Sequence, residues 1–502
     1  MKKLIELSKI VTRKKVVKLE VLDEYVLNKQ SKINEFFEGI TGSKFKNDRD
    51  AAFYLYESSP QDPKYRKLKS RFRQRLLNTI FLIEPNQPVT SGYDRAYFNC
   101  QKEWAQVKIL MANDAFLIAE SLTRQLLNIS LKFKFTDISL NCMRDLRGHA
   151  ARNKNEKEFE KYVALEKEYS SISEKENRSI ELYQKAYLLS GKIYSKPEKL
   201  PDHLEDICHE LVRLSEINDS PTIFRNMFNV WIIRYELEAD YDSMIEVCIQ
   251  AEQYLLNHSQ YFPQKDIYLY YVKKITAFLH LQDYSRGKNH MEEWLPKLPN
   301  DVQEWFDFME IYLLLAIHSR NYFQAFAIFN NIISNPAFKK LDADNKEKWK
   351  LFNAYMQYIL EVKQFDPILL KSVNQTSYHL ETYLADKTAF PKKLRTFEIL
   401  KKILTALFFI RQHKYESANE LITHLNYMAN HQLEKEHFHR PVQLIKLLTI
   451  LKKATYRMDD LRLADKYYSR LRNQPFYYRS NHHGLEILPF ETLWEMVLED
   501  LN

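Results

Sequence analysis

Glycine occupies only seven of the 502 positions in this chain, and this scarcity constrains the fold more than any other feature of the sequence. Average usage predicts about 35 glycines in a chain of this length. Dinucleotide-binding turns, phosphate-binding loops, nucleophile elbows and β-hairpins need glycine where the backbone adopts positive φ or approaches a ligand closely. The chain has little capacity for these motifs, so an all-α fold is predicted.

The overall composition predicts a soluble globular protein. Hydrophobic residues make up 45% of the chain and charged residues 28%, which is too apolar for a disordered chain and too charged for a membrane protein. No stretch reaches the roughly 18 apolar residues of a membrane-spanning helix. The N-terminal MKKLIELSKIVTRKK lacks the pattern of a secretory signal. We therefore expect no membrane partner.

The four cysteines indicate a reducing compartment. Cys100, Cys142, Cys208 and Cys248 are far apart and form no CxxC motif. This spacing favours neither disulfides nor a thiolate metal site, and a cytoplasmic location is predicted.

Basic charge is concentrated at the N-terminal end. Residues 1–100 carry a net charge of +8, which equals the net charge of the whole chain. Together with the change to long amphipathic segments near residue 97, this asymmetry predicts three regions. They are a basic helical N-terminal domain at 1–95, a segment of long charged helices and candidate early repeats at 96–200, and helical repeats with a C-terminal capping helix at 201–502. Individual helices are predicted at 17–38, 48–57, 63–83 and 154–195.

The second half of the chain contains a repeated helix–turn–helix pattern. Stretches such as FLHLQDYSRGKNHMEEWL combine an apolar helix, a short polar turn that ends in an aromatic residue, and a second helix. The anchors of the copies, including two weaker ones, are Tyr241, Tyr284, Tyr322, Phe365, Tyr415 and Leu461. Mostly small residues follow five of these anchors at the third position, namely Met244, Gly287, Ala325, Ala418 and Ala464. A small residue there lets two helices cross closely.

This pattern resembles the tetratricopeptide repeat (TPR), in which an aromatic residue after the turn is followed by a small residue and a second aromatic. NYFQAFAIF, residues 321–329, is the best match, and the resemblance covers about residues 224–472. The anchors are 38 to 50 residues apart, which is longer than the TPR period of about 34 residues and also fits HEAT-like arrays. The resemblance implies a right-handed superhelical α-solenoid of stacked helical hairpins.

In repeats of this kind the first helices line a concave groove. His280, His318, Arg411 and Arg457 stand four residues before anchors and would form a partly basic ladder in that groove. Such a ladder suits an acidic peptide or a carboxylate terminus, held by charge-assisted hydrogen bonds. Alternatively, these four residues are ordinary surface residues without a binding role. The stretch LPFETLWEMVLEDLN is interpreted as a last helix that closes the array or, equally, as a segment that docks on a partner.

The stretch KYRKLKSRFRQRLLNTIFLI, residues 64–83, combines an apolar stripe with a dense basic surface. The apolar residues, three or four apart, are Tyr65, Leu68, Phe72, Leu76 and Ile80, which predicts one buried helix face. The basic residues are Lys64, Arg66, Lys67, Lys69, Arg71, Arg73 and Arg75. Because like charges on neighbouring turns repel, either acidic residues of the same fold or a polyanion such as nucleic acid is expected beside them. The alternatives are an ordinary solvated face and a membrane surface, the latter disfavoured because the apolar stripe is needed for packing.

Arg144 and His149, within RDLRGH, resemble the R-x4-6-H motif of HEPN ribonucleases, which are also helical. The resemblance implies that the two residues act near a scissile phosphate. About three such matches are expected by chance in this chain, so the alternative is a basic patch on a repeat helix.

No further catalytic or metal-binding constellation is predicted. His431, His437 and His439 have no spacing typical of metal ligands, so neither a metal nor a cofactor is expected. The sequence predicts a non-enzymatic scaffold that binds another protein or peptide segment in a TPR-like groove. The alternative is a helical nucleic-acid-binding protein, such as a HEPN-like ribonuclease, that uses residues 64–75.

Overall fold

The protein is all-α throughout the part that the structure describes. The computed structural model describes residues 1–13, 31–42, 44–45, 47–82, 92–193, 202–298, 303–363, 380–386, 390–391, 394–433, 438–457, 461, 463–474, 476, 478 and 485–501. These residues form 22 α-helices and three short 3₁₀-helices and no β-strand, which confirms the all-α part of the predicted fold class.

The first of two compact units comprises Met1–Ser173 and Gln260–Gln264. Its helices are α1 (Lys2–Arg13), α2 (Lys32–Thr41), α3 (Asp48–Tyr56), α4 (Pro63–Leu82), α5 (Gly92–Ala112), α6 (Phe116–Lys132), α7 (Thr136–Arg152) and the first part of α8 (Glu156–Ile193). Helices α1–α4 share one hydrophobic core, which includes Phe36 and Phe72. Helices α5–α8 share another, which includes Leu126 and Met143.

The second unit comprises Glu174–Ser259 and Lys265–Asn502. It contains the rest of α8 and α9 (Asp202–Ile217), α10 (Pro221–Glu238), α11 (Tyr241–Asn257), α12 (Gln264–Leu281), α13 (Tyr284–Trp294), α14 (Gln303–His318), α15 (Tyr322–Ser334), α16 (Ala343–Lys363), α17 (Leu380–Ala385), α18 (Arg395–Arg411), α19 (Tyr415–His431), α20 (His439–Lys453), α21 (Ala464–Arg472) and α22 (Phe490–Leu501). The boundary between the units falls within α8, whereas the sequence predicts boundaries near residues 95 and 200.

Seven pairs of consecutive helices, three in the first unit and four in the second, are joined by the same tight turn. Its middle residue has positive φ and stands two positions before the next helix, as Ala239 (56°), Gln282 (53°), Arg320 (58°) and His413 (56°) do in the second unit. Asp114, Lys134 and Lys154 occupy the same place in the first unit. A left-handed conformation costs a residue with a Cβ about 1–2 kcal/mol. The chain therefore makes left-handed turns without glycine, and no described glycine has positive φ.

The repeat anchors mark the starts of helices. Tyr241, Tyr284, Tyr322 and Tyr415 are the first residues of α11, α13, α15 and α19, as the pattern predicts. The residues three positions later are all buried, and a Cβ on Gly287 would stand 2.3 Å from Cδ2 of Leu315 on α14. The close crossing of α13 and α14 explains why a small residue stands at position 287. Because the same helix start and buried third position recur at the other anchors, these helices have a helical-repeat organisation.

Three other sequence predictions have different outcomes. Phe365 lies outside the described residues, so the turn predicted there stays a prediction. Leu461 precedes α21 but does not begin it. Of the helix predicted at 17–38, residues 17–30 lie outside the description. Ser31 is extended and caps the start of α2 at Lys32, so the helix is not continuous through residue 31 as predicted. The sequence pattern missed helix α1.

Candidate functional site

Helix α4 is amphipathic, and its predicted apolar stripe is buried except at Ile80, which is half-buried. Tyr65, Leu68, Phe72 and Leu76 are each less than 10% exposed. The ring of Phe36 on α2 packs against two of them, with its centroid 5.0 Å from that of Phe72 and 6.0 Å from that of Tyr65. Burying such a side chain contributes about 1.5–3 kcal/mol, so these contacts hold α4 firmly in the core of the unit.

The basic residues of α4 lie on its opposite surface. Lys64, Arg66, Lys67, Arg71 and Arg73 are exposed, while Lys69 and Arg75 are half-buried. Among the residues that the structure describes, no carboxylate lies within ion-pair distance of the five exposed side chains. We call these five residues the basic face of α4. Its charge is left without an internal counterion in that part of the chain.

The acidic residues near α4 bind groups that do not belong to the basic face. Asp48 Oδ1 lies 2.6 Å from Nζ of Lys69, and the Tyr65 hydroxyl donates to the same oxygen at 2.7 Å. Burial alone would raise the pKa of Asp48, but hydrogen bonds from Lys69, Tyr65 and the amino group of Met1 lower this pKa to about 2. Asp62 accepts a hydrogen bond from the Lys64 backbone N–H at the start of the helix. Neither carboxylate neutralises the basic face.

A cavity of about 890 Å³ opens beside the basic face. Lys3 of α1 and Arg66, Lys69 and Arg73 of α4 line it, together with Asp48. Four of these five charged side chains are cationic. The cavity therefore offers a concave, positively charged site.

Three of the four predicted groove residues, His280, His318 and Arg411, contact the chain's own C-terminal segment, which we define as the described residues between 476 and 501. His318 Nε2 donates to the carbonyl oxygen of Glu486 at 2.7 Å. The ring of Phe476 lies 4.7 Å from that of His318 and 5.5 Å from that of His280, between centroids. Burial lowers the pKa of His318 to about 4 and that of His280 to about 3. Both imidazoles are therefore neutral at pH 7.

Helix α22 extends these contacts along the first helices of the hairpins. Its carboxylates pair with cations on the underlying chain: Arg320–Glu495 at 2.8 Å, Lys363–Glu499 at 2.9 Å, and Arg411–Asp500. Its apolar face is buried through Phe490, Leu493, Trp494, Met496 and Val497. Five such side chains contribute roughly 7–15 kcal/mol before entropy is subtracted. The C-terminal segment is thus part of the core of the second unit.

The strongest polar contact of the C-terminal segment involves a residue that the sequence pattern missed. Arg440 of α20 binds Glu486 through two hydrogen bonds of 2.9 and 2.8 Å, and it also lies 2.7 Å from Glu491. An arginine inside the apolar helix HRPVQLIKLLTILKK is the signal that could have identified it. The predicted ladder residue Arg457 lies instead in the exposed turn after α20.

Arg144 and His149 do not come together. They are five residues apart on α7, about 140° around the helix axis. Arg144 Nε lies 3.1 Å from Oε1 of Glu166 on α8. His149 is buried against the ring of Phe116, 4.0 Å from a carboxylate oxygen of Glu120. Burial and the nearby Arg152 lower the pKa of His149. Arg144 thus pairs with α8 while His149 packs against Phe116, and the two side chains make separate structural contacts.

Other candidate chemistry finds little support in the described residues. They contain no cluster of three His, Cys, Asp or Glu side chains with the geometry to hold a metal ion. His437 lies outside the description. None of the described helices combines the length and apolarity that crossing a bilayer requires.

Comparison of the chain with protein-family models, with curated proteins and with solved structures finds no match in any of the three. Its function is therefore inferred from its own residues.

Proposed function

We propose that this protein is a non-enzymatic helical-repeat protein whose first unit binds a polyanion, such as nucleic acid, through the basic face of α4. The observation that carries the proposal is the set of five exposed cations that no described carboxylate pairs. Phosphates would replace the missing counterions, and release of condensed ions from the nucleic acid would drive binding. Recognition of this kind reads charge and not sequence.

The arrangement of the helix supports this assignment. Like charges on adjacent turns destabilise a helix by about 0.2–0.5 kcal/mol per pair, and the buried stripe from Tyr65 to Leu76 compensates for that repulsion. A rigid helix that is anchored on one side and cationic on the other presents its charges without an ordering step, which lowers the entropy lost on binding. The separate commitments of Arg144 and His149 favour binding over cleavage.

The salt dependence of binding tests this proposal. Fluorescence anisotropy of a labelled single-stranded oligonucleotide should show log Kd rising with log salt by about 0.7 per phosphate contact. Replacing the five residues of the basic face by Gln should weaken binding and reduce that slope. The matched control removes the same charge from exposed positions of the second unit, Lys265, Lys339, Lys340, Lys414 and Lys453. The proposal would be rejected if the two variants had the same Kd and the same salt slope, or if binding by the wild type did not depend on salt.

A second candidate function is the protein-interaction scaffold, in which the hairpins stack as a superhelical solenoid in the cytoplasm. The observation that favours it is that Arg320, Lys363 and Arg411 already hold an acidic helix, α22. A partner segment of the same chemistry would have to exchange with α22, so we rank this function second. A labelled peptide of residues 485–502 tests it: uptake by the full-length chain would support exchange, and no uptake at high peptide excess would reject it.

A further inference from the structure

We infer that the cavity beside α4 binds a terminal phosphate group, either of a small phosphorylated molecule or of a nucleic-acid strand end. This inference rests on the polyanion-binding function and makes it more specific. The basic face as a whole attracts any polyanion, whereas the cavity adds a concave wall of charged and polar residues and a limited volume.

Two helices contribute the cations of the cavity. Arg66, Lys69 and Arg73 follow one another at three- and four-residue spacing, so they share one side of α4 and span about 10 Å along its axis. Lys3 projects from α1, whose Leu4 is buried in the same core as Phe72. Because that shared core fixes both helices, the cavity exists before a ligand arrives.

The charge balance of the cavity favours a dianion. The Asp48 carboxylate is shared between Lys69, at 2.6 Å, and the amino group of Met1, at 3.2 Å. Lys3, Arg66 and Arg73 remain as three cations on the wall. A terminal phosphate carries close to two negative charges at pH 7 and three acceptor oxygens. Arginine binds such a group through two parallel hydrogen bonds, which adds geometric selectivity to the charge attraction.

Uncharged donors and the size of the cavity agree with this ligand. The side chains of Gln61 and Ser70 also line the cavity. Its volume of about 890 Å³ falls within the range of about 300–1,000 Å³ that is typical of small-molecule sites. A mononucleotide or the end of a single strand therefore fits, whereas a duplex is too wide to enter.

A matched pair of double variants of the full-length protein tests the inference. Arg66→Gln with Arg73→Gln removes two cavity cations. Lys67→Gln with Arg71→Gln removes two exposed cations of the same helix that do not line the cavity. Circular dichroism should show the same helix content for both. The probes are AMP, inorganic phosphate, and a decanucleotide with either a phosphate or a hydroxyl at its 5′ end.

The cavity variant should lose at least about tenfold in affinity for the phosphorylated probes, since hydrogen bonds to charged groups contribute that much or more. The control variant should weaken binding of both decanucleotides, but it should keep its affinity for AMP and inorganic phosphate and its preference for the 5′-phosphorylated strand. Binding of AMP would identify a small molecule as the source. Tighter binding of the 5′-phosphorylated than of the 5′-hydroxyl decanucleotide, without binding of AMP, would identify a strand end. If both variants bind all probes equally weakly, the inference is wrong while polyanion binding stands. If neither variant differs from the wild type, both fail.

Discussion

Arg440 and Glu486 form a buried two-hydrogen-bond ion pair across 46 residues of sequence, with nitrogen–oxygen distances of 2.9 and 2.8 Å. Glu486 is 3% exposed and Arg440 8%. The Glu486 carboxylate also accepts a hydrogen bond from the backbone N–H of Phe490. The backbone carbonyl oxygen of Glu486 accepts a hydrogen bond from Nε2 of His318. This pair thus joins α20, α14 and the start of α22.

Breaking this pair should strongly destabilise the protein. Glu486→Ala leaves the Arg440 guanidinium buried with only Glu491 as a counterion, and removing one partner of a buried pair costs about 3–5 kcal/mol. The control is Glu495→Ala, which removes the exposed Arg320–Glu495 pair and should cost less than about 1 kcal/mol. Urea unfolding followed by circular dichroism measures both. Similar midpoints for the two variants would contradict the structural role given to Arg440.

Gly287 should not tolerate a side chain. In Gly287→Ala the new Cβ would meet Leu315 Cδ2 at 2.3 Å and Phe278 Cβ at 3.3 Å, and overpacking of this kind costs about 1–3 kcal/mol. Gly148→Ala is the control, because a Cβ there meets nothing within 4 Å. It should stabilise helix α7 by about 0.5–1 kcal/mol. Thermal unfolding separates the two outcomes, and a stabilising Gly287→Ala would refute the close helix crossing.

The left-handed turns predict a stabilising substitution. Lys154 is exposed and has a φ of 54°, so Lys154→Gly should relieve strain and stabilise the first unit by about 0.5–1 kcal/mol after the entropy of the unfolded chain is counted. Lys157→Gly, three residues later within α8, should instead destabilise by about 1 kcal/mol. Opposite shifts in the unfolding midpoint are expected. Destabilisation by both would show that the turn is not strained.

The buried histidines predict acid sensitivity. His280, His290 and His318 have pKa values lowered to about 3, 4 and 4, chiefly by burial. Between these values and about 6.5 the unfolded chain binds more protons than the folded one, so the free energy of unfolding falls as the pH falls from 6.5 towards 4. His318→Gln should flatten the slope of stability against pH. His209→Gln, an exposed position on α9, should not change the slope.

The local features of the repeats could be predicted from the sequence. An aromatic residue after a polar turn and a small residue three positions later are both consequences of one helix crossing the next, so Tyr322 and Ala325 identify their helix without knowledge of the rest. The glycine count likewise predicted the absence of strands from the described residues. It did not predict that residues such as Arg320 and His413 would adopt positive φ themselves, because propensity alone disfavours this conformation.

The long-range features could not be predicted in the same way. His318 and Arg411 fitted a ladder for an acidic segment, but nothing in the local pattern indicates that residues 486 and 500 of the same chain reach them. The pairing of Arg440 with Glu486 depends on the path of the backbone between them. For the basic face, the sequence showed the charges of α4, while only the structure shows that Lys3 joins Arg66 and Arg73 around one cavity.

The position of the C-terminal segment also affects how the protein matures on the ribosome. Synthesis runs from the N-terminus, so helices α14, α16, α18 and α20 emerge well before the residues that cover them. Until residues 476–501 leave the exit tunnel, each nascent chain carries uncovered apolar surface, the condition in which partly folded chains aggregate or engage chaperones. Chains truncated upstream of Tyr478 would therefore keep this apolar surface uncovered, however complete their individual hairpins.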